Sequence, residues 1–213
     1  MNQFYILMAD VIDSRDHPDQ VMMMNQLKGI SATINEIFQQ DLLSPLTVTV
    51  GDEFQGIARS KKSLFRLIFA IEEHLFIQKT GLSLRYSLQN GEIVTPLNTE
   101  NAYGMYGDGL TVAHEKLETL KNEKRRFHID LGSSDSNYHL VRLMDLYDSF
   151  KSEWKSAQTE VISTYLEKPD YKYLTEKNLY KNWSGAWKIV RSLKLDEYLT
   201  TKELVFHTLN ILA

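Results

Sequence analysis

The chain has no cysteine. That removes disulfides, thiolate metal sites and a thiol nucleophile at once, and it fits a reducing compartment. No apolar run approaches the ~20 residues needed to cross a bilayer. No basic stretch followed by an apolar core opens the chain, so no signal peptide is expected. The expectation is a cytoplasmic protein without membrane contact. An excess of positive charge is also missing. The net charge is −4 and the pI about 5.9, which argues against a generally basic nucleic-acid binder and leaves room for a local basic face. What is present suffices for a core: 43% of the 213 residues are hydrophobic and 11% aromatic, enough for one domain or two small ones.

Periodicity organises the first 133 residues. A strand is expected over 3–10. His17-Pro18-Asp19 breaks the chain, and a helix follows over 19–40, with Val21, Met24, Leu27, Ile30, Ile34, Ile37 and Phe38 spaced for one face and Asp19 or Asp16 as cap. Ser44-Pro45 ends that unit, and residues 46–58 read as a hairpin. A helix opened by Ser60 or Ser63 runs to about 78, with Gly81 as its C-terminal cap. Residues 82–88 alternate as a half-buried strand, interrupted at Asn90-Gly91 by a bulge, with Glu92-Ile93-Val94 beyond. A loop over 95–109, a helix over 110–123 and a short strand over 127–131 complete a split βαβ, ferredoxin-like order with an extra helix and strand.

Two acidic motifs stand out. The first strand ends in Asp10-Val11-Ile12-Asp13-Ser14-Arg15, and the hairpin tip carries Gly51-Asp52-Glu53-Phe54-Gln55. Mg²⁺ is a hard cation that binds one or two carboxylates and completes its shell with phosphates and water. If the two stretches are neighbours in a sheet, Asp10, Asp52 and Glu53 with the Val11 carbonyl could hold such an ion. Gly51 permits a tight turn. Ser14, Arg15 and Gln55 are placed to meet phosphate, and so are Gly107 and Gly109 in the glycine-rich stretch before the third helix-forming run. The competing reading makes Asp10 an ordinary cap, Asp52 a turn residue, and Arg15 a surface partner of a nearby acid. The histidines show no metal-ligand spacing. Lys121-Asn122-Glu123-Lys124-Arg125-Arg126 reads as a solvated helix end complementing the helix dipole.

These motifs resemble the SatD family of bacterial proteins, through Asp10–Arg15, Gly51–Gln55, Gly91-Glu92-Ile93 and Tyr106-Gly107-Asp108-Gly109, and the resemblance extends over the whole chain. The N-terminal pattern is also similar to the palm of class III nucleotidyl cyclases and diguanylate cyclases. That resemblance implies that Asp10 and Asp52 are metal ligands, assisted by the Val11 carbonyl. The chain departs from those patterns at Ala9 and Val50, where glycines are usual. It departs again at Thr111, where class III cyclases carry an Asn, and it has no Arg on that helix. The departures weigh against cyclisation and leave nucleotide and metal binding open.

After Gly132-Ser133-Ser134 the pattern becomes helical. Residues 137–166 read as one helix or two, 173–199 as two short helices, and 201–212 as another. Charge divides as well: residues 150–213 carry +2 and the remainder −6. By resemblance the helices form a helix-turn-helix, with 154–166 and 173–180 as supports and 185–193 as recognition helix. Ser184 would be its cap, and Lys181, Lys188, Arg191 and Lys194 would reach phosphates. A dimerisation or partner-docking module is the alternative. The expectation is therefore an α+β protein with a ferredoxin-like palm domain over 1–133 and a helical, helix-turn-helix or winged-helix-like domain over 134–213. Its function would be that of a regulator binding nucleotide with Mg²⁺ in the palm and DNA or a protein partner through the helices. The alternatives are an active nucleotidyl cyclase or transferase, and a non-catalytic module that forms a homodimer.

Overall fold

The computed structural model describes residues 3–49 and 51–211. Val50 on the predicted hairpin and Leu212 at the end of the predicted tail helix lie outside them. The sheet holds β1 (Gln3–Val11), β2 (Leu42–Val48), β3 (Glu53–Ala58), β4 (Leu84–Glu92) and β5 (Phe127–Asp130) in the order β2-β3-β1-β4-β5. Neighbours are antiparallel except for β4 and β5, which run parallel. Between the strands lie α1 (Gln20–Ile37), α2 (Lys61–Ile77) and α3 (Asp108–Glu123). β1 is the centre, paired along its full length with β4 and from Tyr5 to Asp10 with β3.

Alternation along β1 divides the core. Leu7, Ala9 and Val11 face one side, in a cluster with Leu27, Ile30 and Ile34 of α1 and Leu64, Leu67 and Ile71 of α2. Ile6 and Met8 face the other, against Leu110, Ala113, Leu117 and Leu120 of α3. Side-chain caps start both α1 and α2. Asp19 accepts from the Met22 amide at 2.8 Å, and Ser60 accepts from the Ser63 amide at 3.0 Å.

Four local expectations need correction. Ser44-Pro45 does not end the unit, because β2 runs through it. β2 is an edge strand with register shifts around Ser44, where a missing N–H costs no ladder bond. β4 does not bulge at Gly91. That glycine is there because α3 starts against it: a Cβ on Gly91 would lie 2.4 Å from the Gly109 Cα. After α2 the left-handed turn begins at Lys79 (φ 53°), ahead of Gly81 (φ 74°). The helix over Trp183–Ser192 is capped by Asn182, whose side chain accepts from the Gly185 amide at 2.8 Å, and Ser184 lies inside that helix.

The C-terminal chain forms α4 (Ser134–Lys151), α5 (Thr159–Glu167), α6 (Tyr171–Glu176), α7 (Trp183–Ser192) and α8 (Leu195–Ile211). Its buried residues, among them Leu140, Met144, Tyr147, Ile162, Tyr198 and Val205, belong to the same apolar cluster as α1 and α2. Polar contacts reinforce the join. Tyr147 and Tyr198 share a hydroxyl hydrogen bond at 2.9 Å, Tyr198 donates to Glu73 of α2 at 2.9 Å, and Lys202 pairs with the same carboxylate. Beneath them Glu72, fully buried on α2, is held by Arg126 (2.7 Å), Lys151 (2.7 Å) and the Tyr86 hydroxyl (2.8 Å). Arg126 also pairs with Asp148. Arg126, expected at a solvated helix end, is thus the hub of a buried network joining β4, α2 and α4.

Candidate nucleotide site

Sheet register builds the site. In β1, Asp10 stands directly opposite Glu53 of β3 on one side and Arg85 of β4 on the other. Directly opposed residues point to the same face. Asp10 shares the face of Ile6 and Met8, so the row Glu53–Asp10–Arg85 lies under α3. That helix adds His114, Glu118 and Lys121, spaced four and three residues apart and so on one stripe.

Asp10 has no exposed surface and is met by Arg85 in a bidentate pair: Nε donates to Oδ1 and Nη2 to Oδ2, both at 2.9 Å. The Lys121 ammonium lies 3.2 Å from Asp10 Oδ2, 3.6 Å from Glu53 Oε1 and in contact with Glu118. His114 Nδ1 lies 3.6 Å from Glu53 Oε2. Above this row opens a cleft of about 640 Å³ lined by Asp13, Ser14, Arg15, Asp16, Gly51, Asp52, Glu53, Arg85, Glu118, Lys121 and Asn122. Gly51 turns the hairpin tip at φ 58°, and the Val11 amide donates to the Asp52 carbonyl at 3.2 Å, tying tip to strand end.

Burial raises the Glu53 carboxyl above the ordinary value of 4.5. His114 and Lys121 pull it down, and the neighbouring Asp10 and Asp52 add to the rise. Burial lowers the Lys121 ammonium, but its hydrogen bond to Glu118 and the charge of Asp10 outweigh that and leave it raised. The sign for Glu53 follows. A carboxyl whose folded pKa is raised favours the fold fully below pH 4.5, and that contribution is lost as pH rises through the folded value. Glu53→Gln is therefore expected to melt higher than the unaltered chain at pH 7. The difference should close near pH 4, which thermal scans at the two pH values would read.

Of the residues singled out from sequence, Ser14, Arg15, Gly51, Asp52 and Glu53 line the cleft, with Asp10 buried beneath. Gln55, Gly107 and Gly109 do not line it. Gln55 donates its amide to the Ala102 carbonyl. Gly107 and Gly109 pack on β4, where a Cβ would meet the Glu92 carbonyl oxygen at 2.3 Å and the Gly91 carbonyl carbon at 2.6 Å. These glycines serve a helix–strand contact, which a glycine-rich stretch before a helix does not distinguish from a phosphate loop. Arg85 and Glu118 escaped the sequence reading, and Lys121, expected at a solvated helix end, lies in the cleft. The one available signal was Arg85 itself, a charged residue inside the alternating strand 82–88. In the helical region Arg191 pairs with Glu197 and Lys194 with Glu153, both at 3.2 Å. Lys181 and Lys188 are exposed.

The donor chemistry allows a test of Mg²⁺. Both Asp10 oxygens are held by Arg85, and Lys121 takes a further position on one of them. Among the described residues no group of three or more His, Asp or Glu is arranged to hold a metal. An all-protein cage does not fit. A Mg²⁺ that brings its own phosphate oxygens and borrows one or two carboxylates does fit, because the cleft carries five lining carboxylates against three cations.

Among solved structures, similar folds include a bacterial light-regulated adenylyl cyclase (14% identity, 59% of this chain and 73% of that one, TM-score 0.44). The guanylate cyclase domain of RhGC from Catenaria anguillulae in complex with GTP is also similar (16%, 55% and 72%, 0.40). A third is the Csm1-Csm4 cassette in complex with cA3 (18%, 81% and 30%, 0.43), of which this chain spans less than a third. All three TM-scores lie below 0.5. No curated protein matches the chain. No helix among the described residues is long and apolar enough to cross a membrane. The model of the SatD family matches residues 4–205, nearly the whole chain, and the protein belongs to the SatD family.

Proposed function

We propose that the cleft takes a nucleoside polyphosphate together with its Mg²⁺, and that the chain works as a nucleotide-responsive regulator whose helical half contacts DNA or a protein partner. One observation carries this reading: two distant acidic stretches meet at the end of β1 and open onto a cleft that also holds Arg15, Arg85 and Lys121. Carboxylates in excess suit a divalent cation, and the cations among them suit phosphate. Asp52 and Glu53, with Asp10, would hold the metal, which would neutralise phosphate charge. Arg15 and Lys121 would hold phosphate oxygens. Asp10 ends β1, Asp52 and Glu53 come from the hairpin beside it, Arg15 from the turn after it and Lys121 from α3, so binding there would stiffen one end of β1.

The test is a thermal shift with ATP or GTP and Mg²⁺. At a ligand concentration of one hundred times Kd, stabilisation of about 2.7 kcal/mol is expected. Asp52→Ala, at the half-buried end of the hairpin tip, should abolish the shift without lowering the melting temperature of the free chain. No shift with either nucleotide would overturn the reading. Chromatography of the incubated nucleotide separates binding from turnover.

A further inference from the structure

The stretch 168–194 carries seven Lys or Arg and two Asp or Glu, +5 on a chain whose net charge is −4. It also carries two of the three tryptophans. The third, Trp154, is buried and donates its indole N–H to the Leu193 carbonyl. Trp183 and Trp187 are 59% and 51% exposed. Four residues apart on α7, they share one face of its first two turns. Lys172 lies 4.9 Å over the Trp183 ring, and Lys168 and Lys177 flank Tyr173 at 4.8 and 5.0 Å. Arg191 and Lys194 are taken by carboxylates, and so is Lys168, by Glu176 at 3.9 Å. Lys172, Lys177, Lys181 and Lys188 have no carboxylate within salt-bridge distance among the described residues, which leaves their charge for an external anion.

We propose that the face made by α6, the 177–182 turn and the first half of α7 binds single-stranded nucleic acid, stacking bases on Trp183 and Trp187 while the four lysines track the backbone. This names the partner of the helical half and so rests on the reading of that half as a contact surface. It is independent of the nucleotide cleft. The choice of single strand over duplex follows from the side chains at the start of α7. A helix that reads the major groove presents Arg, Asn or Gln to base edges from its first turns. Here those turns carry Trp183, Ser184, Gly185, Ala186 and Trp187, and Asn182 is spent on the cap. An indole hydrogen-bonds poorly to a base edge inside a duplex, but it stacks on the face of any unpaired base.

The test is fluorescence anisotropy with a labelled 20-nucleotide single strand and its duplex, at several salt concentrations, on the full chain. The single strand is expected to bind at least tenfold more tightly than the duplex. Trp183→Ala and Trp187→Ala should each weaken it by about tenfold or more. Lys181→Gln with Lys188→Gln should flatten the salt dependence. All four side chains are exposed, so melting temperatures should stay unchanged and confirm intact folding. Tighter binding of duplex, indifferent to the tryptophans, would overturn the proposal while sustaining DNA contact through a different surface. Binding only to vesicles containing phosphatidylglycerol would overturn it in favour of a lipid surface. Failure to bind any nucleic acid would remove both the proposal and the DNA arm of the reading it rests on.

Discussion

Glu72→Gln is expected to lower stability by about 3–5 kcal/mol at pH 7, because a buried ion network loses its only shared anion. Glu72 has no exposed surface and three partners. Arg126 would keep Asp148, but Lys151 would be left without its carboxylate in the interior. The same network sets a pH dependence. Burial alone would raise the Glu72 carboxyl, yet the charges of Lys151 and Arg126 outweigh it and hold the group at about 2 against an ordinary 4.5. A depressed folded pKa contributes stability that is complete above pH 4.5 and is lost as pH falls toward 2, roughly 3 kcal/mol in all. Urea unfolding at pH 7 and pH 3 reads both effects. The unaltered chain should lose stability between the two, and the Gln variant should lose distinctly less. Equal losses would mean that Glu72 is not the titrating group.

Arg85→Met is the second large effect, also about 3–5 kcal/mol at pH 7. It strips the bidentate partner from an Asp10 that water cannot reach, leaving only Lys121 at 3.2 Å. Asp10→Asn in the same chain should restore much of the loss, since an uncharged amide needs no counter-ion. A double-mutant cycle should return a coupling of roughly 2–3 kcal/mol. Additive single effects would show that the pair is not what holds the two strands' ends together. The cycle also bears on the cleft, because a nucleotide-bound Mg²⁺ would have to share Asp10 with Arg85.

Periodicity made most strands and helices of residues 3–130 legible, because each buries one face; it misled at the ends of α1, where Val21 and Ile37, expected on the inward face, are 70% and 65% exposed. The acids at the end of β1 and at the hairpin tip were legible too, since an acid at a strand end or in a turn breaks the apolar pattern and takes a defined place. Their cationic partners were not. Arg85 meets Asp10 only through the β1–β4 register, which no local pattern specifies. Lys121 and Arg126 belong to one basic run that looks solvated in the sequence, yet one reaches into the cleft and the other into the core. Glu72 stands beside Glu73 in α2, and nothing local tells which of the two is buried or that two cations arrive from residues more than fifty positions away. The glycines at 91, 107 and 109 were visible, but their purpose was not, because close backbone approach and phosphate cradling make the same demand on sequence.

Pro45 and the broken register of β2 leave that rim of the sheet without an even row of free amides. At the opposite rim β5 has four residues only. Neither border offers another polypeptide a template for continuous strand addition. If two copies of this protein associate, they should do so by side chains meeting across helical surfaces, leaving each sheet closed within its own molecule.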